Sequence, residues 1–142
     1  MFVPFQTEQD VDQDRYWQIK AMVKDDLALE IVDHKLDYKE ALEIIARAHL
    51  VIGMRLHAII FAVLTKTPFL ALSYSNKVKD FVKTVNLDNW VDYENISFEE
   101  VIAKLEVVFA SSREITLHLE KQKMLHCYEV FKHEQMIKDL LK

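Results

Sequence analysis

Arg55 and His57 stand two residues apart in the run Leu50-Val51-Ile52-Gly53-Met54-Arg55-Leu56-His57-Ala58-Ile59-Ile60-Phe61-Ala62. A guanidinium presents a planar fork of donors matched to phosphate or carboxylate, and an imidazole titrates near neutrality and can give or take a proton. The apolar residues that follow read as a buried helix, which puts both side chains at its start. A helix start already carries about half a positive charge and favours acidic side chains. Two basic groups there, beside unsatisfied main-chain N–H groups, make a receptor for a small anion. The competing reading pairs Arg55 with an acidic neighbour and makes His57 a hydrogen-bonded core histidine, and spacing alone does not separate the two.

Something must hold that helix start in place. Leu50, Val51 and Ile52 read as a buried strand running into Gly53, the single glycine of the chain. A strand turning into the helix that covers it must bend sharply and pass close to its surroundings, which a residue without Cβ does at least cost. After the helix, Thr67-Pro68 breaks the pattern and Phe69-Leu70-Ala71-Leu72 forms the next strand. That strand empties into Ser73-Tyr74-Ser75-Asn76-Lys77, and a helix runs from about Lys77 to Val85.

Upstream, Met1 to Phe5 reads as a strand, with Pro4 tolerable near its end. Residues 8–24 place Val11, Tyr16 or Trp17, Ile19, Met22 and Val23 at helical spacing, with Gln6 and Asp10 near the junction. Leu27 to Val32 is a second strand, and Asp37 with Glu40 opens a helix through a capping-box variant. Downstream, Trp90-Val91-Asp92-Tyr93 adds a short extended piece. Ser97-Phe98-Glu99-Glu100 caps a helix whose inner side is expected to carry Val101, Ile102, Leu105, Val108 and Phe109.

Alternation of strands and helices, with continuously apolar strands, predicts an α/β fold: a Rossmann-like parallel sheet with helices on both faces. The expected division is a partial Rossmann-like domain over 1–112 followed by a long amphipathic C-terminal helix over 113–142. Ligands of such sheets lie beyond the carboxyl ends of the strands. Arg55, His57, Ser73, Tyr74 and Lys77 all gather on that edge; Lys77, a surface lysine by default, gains weight from its company.

Eighteen basic against 23 acidic side chains give a net charge of −5, which lacks the basic stripe of a nucleic-acid partner. One cysteine, Cys127, excludes an internal disulfide and fits a reducing compartment; it reads as a small apolar residue. No leader pattern or membrane-spanning run is present, so a cytoplasmic chain is expected, and Asn95-Ile96-Ser97 is read as a chance glycosylation match. His118, His126 and His133 are spaced by eight and seven, not the four that a shared metal wants on one helix face, so no metal is expected.

The motif Ile52-Gly53-Met54-Arg55-Leu56-His57-Ala58-Ile59-Ile60-Phe61-Ala62, with Pro68, Ala71-Leu72-Ser73-Tyr74 and Lys77-Val78 after it and Val3-Pro4-Phe5-Gln6 and Asp10 before it, resembles the C-terminal half of the polysaccharide pyruvyl transferase family over roughly residues 1–125. The resemblance implies the C-terminal domain of a GT-B-like fold, with the reaction in a cleft between two Rossmann-like domains. It implies transfer of the enolpyruvyl carbons of phosphoenolpyruvate to a sugar or lipid-linked saccharide acceptor as a ketal, without a cofactor, for a cell-wall or exopolysaccharide precursor. On this resemblance His57 and Arg55 are catalytic, and Arg55, Leu56, Lys77, Ser73, Tyr74 and Gly53 bind substrate. It further implies a missing N-terminal domain and missing first strand and helix, hence a fragment inactive alone that is completed by that half or by a homo-oligomer, in the cytoplasm or peripheral to the inner membrane face. Ser75-Asn76 stand where the family often carries an acidic residue and a proline. Two other readings are the nucleotide-sugar half of a glycosyltransferase, with Arg55 and His57 on a diphosphate, and a non-catalytic module whose C-terminal helix docks on a partner.

Overall fold

The computed structural model describes residues 1–4, 11–22, 30–32 and 36–124. Contacts divide the chain into two units, Met1–Ala41 and Leu42–Lys142.

In the first unit, helix α1 spans Val11–Met22. The two expected strands meet as one parallel bridge, Phe2 with Ile31, in which Phe2 N donates to Glu30 O at 2.6 Å and Val32 N to Phe2 O at 3.1 Å. Phe5, Gln6, Asp10, Val23 and Leu27 to Leu29 lie outside the described residues. The choice left open between Tyr16 and Trp17 resolves to Tyr16, which is buried with its ring 5.8 Å from that of Phe2, while Trp17, Ile19 and Met22 are exposed. Helix α2, Tyr38–Arg47, crosses from this unit into the next. Its capping box forms as expected: Lys39 N and Glu40 N donate to Asp37 Oδ1, and Asp37 N donates back to Glu40 Oε2.

The second unit is built on a three-stranded parallel sheet in the order β1 (Val51–Gly53), β2 (Phe69–Ser73), β3 (Trp90–Asp92). Val51 to Gly53 pair with Phe69 to Ala71, and Ala71 to Ser73 with Trp90 to Asp92. Helix α3, Leu56–Thr65, joins β1 to β2, and α4, Asn76–Thr84, joins β2 to β3. Two crossovers stepping in the same direction with the usual right hand put α3 and α4 on one face, and the two helices touch. Phe69, Leu70 and Ala71 are all fully buried. Since successive strand residues point to opposite faces, both faces of β2 are covered; α5, Phe98–Ala110, also packs on it. This is the predicted α/β arrangement with helices on both sides of a parallel sheet.

Register assigns the faces. Gly53, Ala71, Ser73, Trp90 and Asp92 turn toward α3 and α4, and Lys79 of α4 lies 4.3 Å from the Trp90 ring centroid. Ile52, Leu70, Leu72 and Val91 turn the other way, and there cover runs out at β1, where Ile52 is 53% exposed.

Helix α3 ends at Lys66 in the left-handed conformation (φ 63°), with Lys66 N and Thr67 N closing on Val63 O and Ala62 O. Buried Thr67 donates to Ile45 O at 2.9 Å, tying the chain before β2 to α2. A sixth helix, α6, is described over 112–124. It sits at the C-terminal ends of α3 and α4, the edge opposite the strand carboxyl ends, through Lys66 with Glu120 at 2.9 Å, Lys123 with Leu64 O and His118 Nε2 donating to Val85 O at 2.7 Å. His118 is therefore half-buried and engaged rather than a solvated helix histidine. Residues 125–142, with Cys127, His126 and His133, lie outside the described residues.

On α5 the expected inner side holds only in part. Val108 is buried and Val101 and Leu105 half-buried, but Ile102 and Phe109 are exposed, because a helix interior stripe is narrower than five apolar positions. The α5 capping box is complete, with Glu100 N on Ser97 Oγ and Ser97 N on Glu100 Oε2. Ser97→Ala removes that acceptor and should lower stability by about 1 kcal/mol in urea unfolding. An unchanged midpoint would mean the cap is not used in solution.

Candidate active site

Gly53 closes β1 with ordinary negative φ, so its role is not left-handed geometry. Close approach explains it: a Cβ there would meet Ile59 Cδ1 at 2.7 Å and Ala58 Cβ at 3.3 Å. Ile59 is fully buried on the face of α3 formed with Ala58, Ala62 and Val63, so the first turn of α3 rests directly on the end of β1.

Arg55 occupies the N-cap position of α3 in an extended conformation, Leu56 is the first helical residue and His57 the second. No side chain caps this helix, and its first turn holds no acidic residue. Ala58 N folds back on Arg55 O at 3.0 Å, and the amides of Leu56 and His57 are among those a helix cannot satisfy internally. His57 is exposed, Leu56 half-buried, and Arg55 half-buried and engaged by its surroundings. A guanidinium has five donors, enough to serve a neighbour and a ligand at once.

The adjoining strand repeats the pattern. Ser73 closes β2, two residues beyond the register partner of Gly53. Its hydroxyl is buried and donates to Ser75 O at 2.8 Å, so it shapes the turn into α4. Tyr74 projects from that turn with about half of its surface exposed, and Lys77 is exposed in the first turn of α4. That helix too has no side-chain cap and no acid in its first turn, whereas α2 and α5 have both.

Arg55, His57, Ser73, Tyr74 and Lys77 thus lie at the carboxyl edge of two hydrogen-bonded strands, with Gly53 and Leu56 beside them. Sequence reading gave no role to Asp92, which closes β3 in register with Ser73 and puts a carboxylate on the same edge, oriented by Glu94 N on its Oδ1 at 3.1 Å. The available signal was its place at the end of a third parallel strand. Among the described residues no group of three or more His, Cys, Asp and Glu could hold a metal ion, and no helix is long and apolar enough to cross a membrane.

Residues 2–76, just over half of the chain, match the family model for polysaccharide pyruvyl transferase. The chain belongs to that family. The matched span holds the arginine and histidine of α3 and the turn after β2, and stops one residue before Lys77. No curated protein and no solved structure matches the chain. Membership assigns transferase chemistry on a saccharide.

The packing of Gly53 gives a direct test. Gly53→Ala should lower stability by about 1–3 kcal/mol through overpacking, and Ile59→Val, which removes the Cδ1 atom, should return part of that loss in the double variant. Additive losses in thermal unfolding would show that Ile59 does not set the requirement for glycine.

Proposed function

We propose that this chain supplies the donor-binding wall of a polysaccharide pyruvyl transferase, acting on phosphoenolpyruvate and a sugar or lipid-linked saccharide. The observation that carries the reading is the pair of uncapped helix starts at adjacent strand ends, with Arg55 and His57 on one and Lys77 on the other. Phosphoenolpyruvate carries a phosphate and a carboxylate, and two cationic helix starts match two anionic groups.

The reaction needs three services. A proton must reach the methylene carbon of the enol, turning it into a methyl group and leaving C2 electrophilic. Two sugar hydroxyls then bond to C2 in turn, and the C2–O bond to phosphate breaks. Of the two hydroxyl protons released, one balances the proton taken up by carbon and the other leaves with inorganic phosphate. His57, exposed and at the helix start, is the acid and base for these transfers. Arg55 and Lys77 hold the carboxylate and phosphate and stabilise charge on the departing group. The main-chain N–H groups of Leu56 and His57 add donors to the same anion. Gly53 allows the close seating of this turn, and Ser73 with Tyr74 shapes the far side.

In this reading the donor wall is one side of a cleft of the GT-B-like kind, with the saccharide acceptor entering from the other. The same reading implies a cytoplasmic enzyme, working on precursors at or near the inner membrane face, and a homo-oligomer is consistent with it.

His57→Ala should abolish turnover, by at least about a hundredfold, while phosphoenolpyruvate affinity stays within a few-fold of the parent by calorimetry. Arg55→Lys should weaken that affinity, because an ammonium cannot replace a planar fork. Full turnover by His57→Ala would remove the histidine from the mechanism. Preference for a nucleotide sugar over phosphoenolpyruvate would replace pyruvyl transfer with glycosyl transfer.

A further inference from the structure

We propose that the groove between β3 and α5 holds an uncharged ring of the acceptor saccharide, an inference that rests on the pyruvyl-transfer reading. The groove is open to solvent and offers about 490 Å³, a volume within the range of small-ligand sites. One wall is the outer edge of β3, whose three residues all line it; the other is a single stripe of α5 at positions 100, 103, 104 and 107. The loop from β3 to α5 closes the upper end through Asn95. That end lies at the strand carboxyl edge: Asp92 is in register with Ser73, and β1 is only two strand spacings away, about 10 Å. A saccharide seated at that upper end lies on the same carboxyl edge as Arg55 and His57.

Charge decides what the groove accepts. Glu100 brings a carboxylate to the α5 wall, Asp92 lines the strand wall with its carboxylate turned to the other strand face, and the single ammonium, that of Lys104, already lies 3.0 Å from Asp88. The resulting potential is negative and disfavours a dianion, so this is not a second donor site. The Glu100 carboxylate and the Asn95 amide beside exposed aliphatic surface suit sugar hydroxyls and C–H groups. A docked protein strand fits less well. In a three-residue parallel edge only Trp90 and Asp92 turn their main-chain groups outward, since 89, 91 and 93 serve β2, and the centre of a protein interface is depleted in charge.

Val107 is 60% exposed on α5 and lines the groove, so Val107→Arg obstructs the groove without disturbing the core; an unchanged thermal midpoint checks this. Cellobiose, lactose and N,N′-diacetylchitobiose are titrated into the full chain and followed by amide shifts, with phosphoenolpyruvate binding measured separately by calorimetry. At least one disaccharide should shift residues 92–107, Val107→Arg should weaken it by about tenfold or more, and phosphoenolpyruvate binding should not change. Retained phosphoenolpyruvate binding with no disaccharide shift in the groove, or disaccharide binding indifferent to Val107→Arg, overturns the groove and leaves the donor reading standing. Lost phosphoenolpyruvate binding with groove shifts intact overturns the donor reading instead. Concentration-dependent shifts without sugar, abolished by Val107→Arg, would mark a protein interface and overturn the saccharide assignment.

Discussion

The contact of Ile59 with the bare backbone of Gly53 is the constraint from which the site follows. A side chain at position 53 would lie 2.7 Å from Ile59 Cδ1 and 3.3 Å from Ala58 Cβ, so that the Ile59 terminal methyl must turn away or α3 shift on the sheet. A shift of α3 would move the helix start that carries Arg55, Leu56 and His57. Glycine here is a packing requirement, met at a φ that any residue could adopt. Fold and function thereby meet in a single absent Cβ.

Electrostatics at the two helix starts run against ordinary stabilisation. An N-cap side chain is worth about 1 kcal/mol and an acid in the first turn a few tenths more. Helices α2 and α5 take both, through Asp37 with Glu40 and Ser97 with Glu100. Helices α3 and α4 take neither, and carry cations instead. The same fold thus contains its own control, since well-capped helices are within reach of this sequence. An anion at the strand edge would supply the negative charge that these two starts lack, and donor binding is then coupled to the stability of α3 and α4.

Much of this was legible in the sequence, for identifiable reasons. Capping boxes are local, so Asp37 with Glu40 and Ser97 with Glu100 read correctly without tertiary information. Continuous apolar strands separated by helices specify a parallel sheet, and the carboxyl-edge rule then gathers Arg55, His57, Ser73, Tyr74 and Lys77 without any coordinates. Properties set by partners were not legible. Periodicity could not choose Tyr16 over Trp17, because the choice depends on Phe2. It also overfilled the inner side of α5, leaving Phe109 exposed where an apolar residue reads as core. Asp92 and the groove beside β3 need three strands in register before they become visible, and no local pattern encodes that.

Amide chemical shifts during a phosphoenolpyruvate titration test the central claim most directly, because they report on the N–H groups themselves. The largest shifts are expected on Leu56 and His57, with a second set at Asn76 and Lys77, and pyruvate, lacking the phosphate, should reproduce them only weakly. Saturating phosphoenolpyruvate with those four amides unmoved would contradict that claim, whatever else on the chain responded.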